Sequence, residues 1–176
     1  MGFERMAADR VWKGRFLEAR VERWRTEDGE EVEREVVGHP GAVGVVAHDG
    51  ERLYLVTQPR EAVGEPRLLE LPAGKLDEEG ESVLDTAKRE LAEEIGMGAH
   101  SWRHLTTFYA SPGFSDEEIH VYLATDLYEQ HAESHENERI EIETVPLSEL
   151  DDLIGRCRDS KTLVGLLWLK AFGDGA

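Results

Sequence analysis

Alternating and continuous apolar positions predict β-strands in the first third of the chain. Residues 16–25 mix apolar and charged side chains, and the turn signal Asp28–Gly29 separates them from a return strand, which predicts a β-hairpin. A second hairpin is predicted around the turn Asp49–Gly50, where the flanking runs are apolar enough to form buried strands. The predicted strands of this part lie at residues 16–25, 32–37, 42–47, 53–57 and 68–71.

The clearest helix pattern follows a proline. Pro72 ends the preceding strand, and residues 73–80 are predicted to form a loop. Between Glu81 and Ile95 the apolar side chains recur at helical spacing and form one stripe that can pack against a core. Gly96 follows directly and is predicted to end this helix. The stripe consists of Leu84, Ala87, Leu91 and Ile95.

The remainder of the chain adds strands and then helices. Strands are predicted at 105–110, 119–124 and 139–145, and helices at 148–156 and 161–172. The order of strands, helix, strands and helices favours layered α+β architecture over a Rossmann-type alternation. No repeat or linker-like segment marks a domain boundary.

Composition narrows the possible functions. The 176 residues include 38 acidic and 20 basic side chains, so the net charge is −18 with neutral histidine, which argues against binding nucleic acid through a basic face. Cys157 is the only cysteine, which excludes an internal disulfide and favours a reducing compartment. The first ten residues lack the apolar core of a signal peptide, and no apolar stretch approaches the roughly 20 residues of a membrane span. We therefore expect a cytoplasmic protein without a membrane partner.

Three glutamates share one flank of the predicted helix 81–95. Successive helical residues rotate by about 100°, so Glu90 and Glu94 project roughly 40° apart, with Glu93 beside Glu90 on its other side. Like charges so placed repel one another, and a hard divalent cation with oxygen ligands, Mg²⁺ above all, would offset that repulsion. Solvent-exposed glutamates on an acidic protein would give the same sequence. These residues alone therefore leave both interpretations open.

The surrounding residues resemble the box of the Nudix hydrolases, which reads G-x5-E-x7-R-E-U-x-E-E-x-G-U, where U is a bulky aliphatic residue. This chain matches every fixed position between Gly74 and Met97, with six residues instead of five between Gly74 and Glu81. The extra residue falls in the loop, so we expect a slightly longer turn and an intact helix register. The matching residues are Gly74, Glu81, Arg89, Glu90, Leu91, Glu93, Glu94, Gly96 and Met97.

The resemblance implies a fold and a set of roles for the box. It implies a Nudix fold at residues 39–176, with a mixed β-sheet sandwiched between α-helices, after an N-terminal β-hairpin subdomain at 1–38. Glu90 and Glu94 are implied as catalytic. Glu81 and Arg89 are implied as an ion pair, and Gly74 and Gly96 as structural backbone positions. The ligands implied for Mg²⁺, with Mn²⁺ as a possible substitute, are Glu90, Glu93, Glu94 and the carbonyl of Ala73.

A general base is implied in the acidic loop before the last strand. Glu136 and Glu138 are both candidates, and a solvated acidic loop is the simpler alternative for either residue. His131 and His135 lie in the same loop, and we interpret them as solvated. His39 and His120 are interpreted as structural.

The residues flanking the box resemble the ADP-ribose pyrophosphatase branch of the family. The segment 70–74 precedes the box, and the segment 111–117 follows it with Pro112 fifteen positions beyond Met97, where that branch has a proline. Ser111, Pro112 and Gly113 would shape the substrate pocket, and Ser115 and Glu117 would meet sugar hydroxyls. A turn that only reverses the chain is the alternative.

Two arginines match positions where this branch binds substrate. Arg60 at a predicted strand end matches a phosphate-binding arginine, and Arg34 matches a residue of the N-terminal part that reaches the substrate. Either could be a surface arginine, because the chain has fifteen.

The function implied by this resemblance is Mg²⁺-dependent hydrolysis of ADP-ribose, a small nucleoside diphosphate, to AMP and ribose 5-phosphate. The alternatives are hydrolysis of another nucleoside diphosphate sugar or NADH, and a Nudix module that binds ADP-ribose without cleaving it. The branch also implies a homodimer that exchanges N-terminal strands. Trp12, Phe16 and Trp24 supply large apolar groups for that interface, unless they pack on the chain's own domain.

Overall fold

The structure, a computed structural model, describes residues 2–130, 132 and 139–173. The chain forms two compact units, one of Met1–Gly41 with Phe108–Glu118 and the other of Ala42–Thr107 with Ile119–Ala176. The strands are β1 (Phe3–Lys13), β2 (Glu18–Thr26), β3 (Glu31–Gly38), β4 (Ala42–His48), β5 (Arg52–Arg60), β6 (Glu65–Glu70), β7 (Ala73–Lys75), β8 (Met97–Tyr109), β9 (Glu118–Glu129) and β10 (Glu141–Pro146). The α-helices are α1 (Val83–Ile95), α2 (Leu150–Arg156) and α3 (Ser160–Phe172), and short 3₁₀ turns occupy Glu61–Val63 and Leu147–Glu149.

The first unit contains a three-stranded antiparallel sheet in the order β1-β2-β3. The predicted hairpin is confirmed as β2 and β3, and its turn places Gly29 at φ 85°, in the left-handed region that favours glycine. β1 was not predicted. Register shifts between Arg5 and Ala7 and between Arg10 and Trp12 interrupt the period of two, and nearly all of its side chains are exposed.

The second unit contains a seven-stranded mixed sheet. Its main path runs β10-β5-β4-β9-β8, with β6 beside β5 and β7 beside β4. β4 pairs parallel with β9 and antiparallel with β5 and β7. The sheet therefore has the mixed character that the resemblance implied.

Helices cover both faces of this sheet. Val45 belongs to a buried cluster that includes Leu91 of α1. On the opposite face, Gly165 of α3 lies so close that a Cβ there would meet Val46 Cγ2 at 2.8 Å. Both faces of β4 are buried, which explains its continuous apolar run, and the α+β prediction is confirmed.

The helix that carries the box begins two residues later than its apolar pattern suggested. Ser82 is the N-cap, and its side chain accepts a hydrogen bond from the Asp85 amide at 3.1 Å. At the other end, Gly96 adopts φ 69° and donates its amide to Ala92 at 3.0 Å, as predicted for the helix stop.

Further differences from the prediction concern β7, β8 and α2. The loop predicted at 73–80 begins with the short strand β7, which was too short to show a period and is defined by its pairing with β4. β8 begins at Met97 instead of 105, and the helix predicted at 148–156 splits into a 3₁₀ turn and α2. Within the described ranges, no helix is long and apolar enough to cross a membrane.

Candidate active site

An ion pair ties the loop before α1 to the helix. Arg89 donates from Nε and Nη2 to the two carboxylate oxygens of Glu81, each at 3.0 Å. Thr86 Oγ1 also donates to Glu81 at 2.8 Å. These bonds lower the pKa of Glu81 below its usual range and raise the pKa of Arg89. The structure brings together the two residues for which the resemblance implied a pair, despite the extra loop residue.

The same guanidinium contacts two of the three glutamates on the helix flank. Arg89 Nη1 lies 2.8 Å from Glu90 Oε1 and 3.1 Å from Glu93 Oε2. Both glutamate side chains are mostly shielded from solvent. Since crowded carboxylates repel one another, this arginine contributes part of the positive charge that their arrangement requires.

The strand β7 lies directly against the carboxylate helix. The Ala73 amide donates to Glu94 Oε2 at 2.9 Å. The next residue, Gly74, packs so closely that a Cβ there would overlap the Glu90 carboxylate. Glu90 and Glu94 therefore lie against β7, which contains Ala73, and Glu93 is linked to Glu90 through Arg89.

Arg60 lies in an ion-pair network on the same unit. It donates from Nε and Nη2 to Glu70 at 2.6 and 2.7 Å, and Lys161 Nζ approaches Glu70 Oε2 at 2.5 Å. Glu70 is completely buried. Burial alone would raise the pKa of Glu70, but the hydrogen bonds and charges of Arg60 and Lys161 outweigh it and lower that pKa below its usual value.

Sequence reasoning did not identify Glu70 or Lys161 as site residues. The available signal was a glutamate at position 70 within the apolar segment 68–71, where a buried charge must find a partner. Of its two partners, Arg60 lies ten residues away, whereas Lys161 was hidden because it lies 91 residues further along the chain.

The first unit holds the remaining substrate candidates. Arg34, Pro112 and Gly113 line one cavity of ≈ 660 Å³, which also presents the aromatic rings of Phe3 and Trp24. Ser111 and Glu117 are not part of that lining.

Ser111 and Glu117 hold the turn that follows β8. The Ser111 carbonyl accepts hydrogen bonds from the amides of Phe114 at 3.1 Å and Ser115 at 2.9 Å. The Glu117 carboxylate lies 3.6 Å from His39 Nδ1. Both residues have structural contacts that the sequence alone did not show.

Four of the seven histidines were interpreted from the sequence, and only two of these four lie within the described residues. His39 Nδ1 accepts the Gly41 amide at 3.1 Å, and His120 Nδ1 lies 3.0 Å from Thr107 Oγ1, so both take part in local hydrogen bonding. The base candidates Glu136 and Glu138, together with His131 and His135, lie outside the described residues.

Comparison with known proteins assigns the family. Residues 38–163 match the NUDIX domain family. The chain belongs to the Nudix family. An ADP-ribose pyrophosphatase of Bacillus subtilis is 38% identical over 170 residues, which cover 94% of this chain and 91% of that protein. A methanol dehydrogenase activator of Bacillus methanolicus is 37% identical and covers 92% of this chain and 89% of its own length.

A solved structure supports the fold independently. A protein described as an ADP compounds hydrolase superposes with a TM-score of 0.84, with 22% identity and coverage of 97% of this chain and 94% of that one. The predicted Nudix fold is thus confirmed, and so is the resemblance to ADP-ribose pyrophosphatases.

The Nudix box residues of this chain fit a divalent cation, which enzymes of this kind generally use. Within residues 2–130, 132 and 139–173, no three acidic, histidine or cysteine side chains already converge at metal-binding distance. The candidate metal-ligand atoms on β7 and α1 are nevertheless all oxygens, and the Arg89 guanidinium already lies against Glu90 and Glu93. Carboxylate and carbonyl oxygens around a site that attracts positive charge suit a hard divalent ion.

Proposed function

We propose that this chain is a Mg²⁺-dependent Nudix hydrolase that cleaves ADP-ribose to AMP and ribose 5-phosphate. The observation that carries the proposal is the contact of β7 with the carboxylate helix, where Ala73 holds Glu94 and Gly74 abuts Glu90. The proposed substrate is supported by the Bacillus subtilis relative, which is named an ADP-ribose pyrophosphatase and matches nearly the whole chain.

The proposed metal ligands are Glu90, Glu93, Glu94 and the carbonyl of Ala73, with Mg²⁺ as the ion and Mn²⁺ as a substitute. Such an ion polarises a diphosphate and lowers the pKa of bound water. Glu81 and Arg89 act as positioning residues, because their ion pair fixes the loop that leads from β7 to the ligands. The Ala73 amide orients Glu94 through its 2.9 Å hydrogen bond.

The chain's other residues bind substrate and move protons in this proposal. Arg60 donates to the diphosphate, and Glu136 or Glu138 accepts the proton of the attacking water. The remaining substrate residues are proposed from the resemblance and, for three of them, from their shared cavity. They are Arg34, Ser111, Pro112, Gly113 and Glu117.

We also propose the assembly and compartment. Residues 1–38 would form a dimerising subdomain that exchanges strands with a second copy, and 39–176 the hydrolase domain. The exposed apolar side chains of β1 support this assignment. The lone Cys157 supports the cytoplasm as the compartment.

The test is hydrolysis of ADP-ribose with Mg²⁺ present, with a second nucleoside diphosphate sugar and NADH as competing substrates. We expect Glu90→Gln and Glu94→Gln to reduce turnover by more than about 100-fold, because loss of a metal ligand lowers activity more than loss of a residue that only orients a ligand. Glu79→Gln serves as the control, because Glu79 is an exposed acid of the same loop.

Three results would contradict parts of the proposal. Turnover like wild type in both box variants would refute the metal site, with circular dichroism confirming that the variants fold. If the second nucleoside diphosphate sugar or NADH is hydrolysed faster than ADP-ribose, that compound would be the preferred substrate instead. Tight binding of ADP-ribose without product would favour a non-catalytic module.

A further inference from the structure

Glu70 is a completely buried carboxylate with two cationic partners. Arg60 alone satisfies both of its oxygens through a bidentate pair at 2.6 and 2.7 Å. A buried carboxylate needs such pairing, yet the chain adds Lys161 from α3 at 2.5 Å. Lys161 also lies 3.1 Å from Asp159, so two carboxylates and two cations meet here, next to the segment that leads into β7.

Lys161 is held beside the strand pair that contains Ala73, one of the proposed metal ligands. Its stem passes over Gly44, where a Cβ would lie 3.8 Å from Lys161 Cδ, and Gly44 pairs with Ala73 in the β4–β7 register. The neighbouring Thr162 accepts the Leu71 amide at 2.8 Å, which fixes the first turn of α3 to the chain next to Glu70. These contacts hold the ammonium stem over the strand pair that presents Ala73.

The charge of a proposed metal ligand, Glu94, acts on Arg60. Hydrogen bonding to Glu70 raises the pKa of Arg60 against the effect of burial, and the charges of Asp159 and Glu94 raise it further. Glu94 is one of the proposed metal ligands and is held by the Ala73 amide. The charge of Glu94 therefore acts on Arg60, and Lys161 lies over the strand pair Gly44–Ala73.

Both cations have hydrogen-bond donors beyond those that hold Glu70. An arginine has five N–H donors, and Arg60 uses Nε and Nη2 for Glu70, so Nη1 takes no part in that ion pair. Its side chain remains 43% exposed. Lysine has three donors, and Lys161 Nζ lies 2.5 Å from Glu70 and 3.1 Å from Asp159, so these two carboxylates account for two of them; the Lys161 side chain is 12% exposed.

We propose that Glu70 is a positioning residue that holds Arg60 and Lys161 as a fixed pair of cations for the phosphate oxygens of the substrate, and that Lys161 is a second phosphate-binding residue. Arginine matches phosphate through its planar fork, and lysine adds a compact point charge. The identity of the substrate in this inference rests on the proposed function. A network that serves stability alone is the competing explanation, and the two differ in their effect on substrate affinity.

The first experiment compares Lys161→Gln and Arg60→Gln with the control Lys170→Gln, a lysine of the same helix that is paired with Asp151. The KM and kcat for ADP-ribose are measured with Mg²⁺, and the Kd of ADP is measured by calorimetry in the same buffer. We expect KM and Kd to rise about tenfold or more in the first two variants, with kcat within about threefold of wild type. Lys161→Arg restores the affinity, and Lys170→Gln leaves it unchanged.

The second experiment tests the positioning role with Glu70→Gln, using Glu65→Gln on the same strand as the control because Glu65 pairs with a different residue, Arg158. We expect KM to rise about tenfold in Glu70→Gln although both cations are still present. The thermal midpoint of every variant is recorded. If Glu70→Gln does not fold, the Lys161 variants still decide the inference.

The outcomes separate this inference from the proposed function. If Lys161→Gln lowers only the thermal midpoint and leaves KM and Kd like wild type, the network is structural and the inference is wrong. If wild-type protein does not hydrolyse ADP-ribose, the proposed function is wrong, and the ADP titrations still test the pair of cations. Absence of ADP binding by wild-type protein would overturn the inference itself.

Discussion

Gly74 is required for space and not for backbone freedom. Gly74 does not have a positive φ. Gly96, in contrast, has φ 69°, in the left-handed region that favours glycine. At Gly74 a Cβ would overlap the Glu90 carboxylate. Gly74 and Gly96 belong to one motif but are required for different physical reasons, which the motif alone does not distinguish.

This contact predicts the effect of Gly74→Ala. The added methyl group displaces Glu90, which is the end of a flexible side chain, so the fold survives while the proposed ligand moves. We expect kcat/KM to fall by about 10- to 100-fold, as for residues that orient metal ligands. The control is Gly155→Ala in α2, where a Cβ meets no atom within 4 Å. Equal activity of Gly74→Ala and wild type would contradict a role for Glu90 in this position.

The sequence revealed local relations between residues much better than distant ones. The spacing of Glu90, Glu93 and Glu94 followed from helix geometry, and Glu81 with Arg89 followed from the resemblance. The pairing of Glu70 with Lys161 could not be inferred in this way, because a pairing across 91 residues depends on how α3 docks on the sheet. No local period records that docking.

At the scale of elements, a glycine allows the close approach of α3 to the sheet. A Cβ on Gly165 would lie 2.8 Å from Val46 Cγ2 and 2.9 Å from Leu71 Cδ1, and both of those residues are completely buried. Close packing of this kind leaves little freedom for either neighbour to move. The same helix carries Lys161, so its distance from the sheet also sets the position of that ammonium group.

We therefore predict that Gly165→Ala destabilises the protein although alanine favours helices. Overpacking a core typically costs about 1 to 3 kcal/mol, which outweighs the roughly 1 kcal/mol gained in helix propensity. Urea unfolding should show a free energy of unfolding lowered by about 1 kcal/mol. Gly155→Ala gains the same propensity in open space, so it should be neutral or slightly stabilising. A stabilised Gly165→Ala would show that α3 packs less closely than described.

Elements with a strong local pattern were predicted correctly, and elements with a weak one were missed. The run 42–47 was identified as a buried strand because both of its faces are covered, and the stripe between Glu81 and Ile95 because one helix face is packed. β1 escaped detection because two register shifts interrupt its alternation, and β7 because it has three residues. In both cases the strand is defined by its neighbours in the sheet.

At the scale of the whole molecule, the charge of −18 is unevenly distributed. Residues 74–97 hold eight acidic and three basic side chains, a local net charge of −5. Within this region Arg89 pairs with Glu81, Glu90 and Glu93. A bound divalent cation would add positive charge beside these glutamates and reverse the local field, which would let an acidic protein accept a diphosphate.

The first unit has an exposed apolar edge. β1 is the outer strand of its sheet, and Phe3, Val11 and Trp12 on it are 73, 65 and 56% exposed. At the opposite edge, the Val37 amide of β3 donates to the Phe114 carbonyl at 2.8 Å, so the turn covers that strand. A long edge strand with exposed apolar side chains is a surface that proteins normally cover.

We expect a second copy of the chain to cover β1. Wild-type protein at micromolar concentration should then sediment with a mass near twice 19.9 kDa, and Val11→Glu should shift it toward the monomer because a buried charge destabilises the interface. Val63→Glu is the matched control, since Val63 is also 65% exposed but lies outside the first unit. A monomeric wild type, or the same dimer in Val11→Glu, would contradict the assignment. Loss of ADP-ribose hydrolysis together with the dimer would indicate that each active site needs both chains.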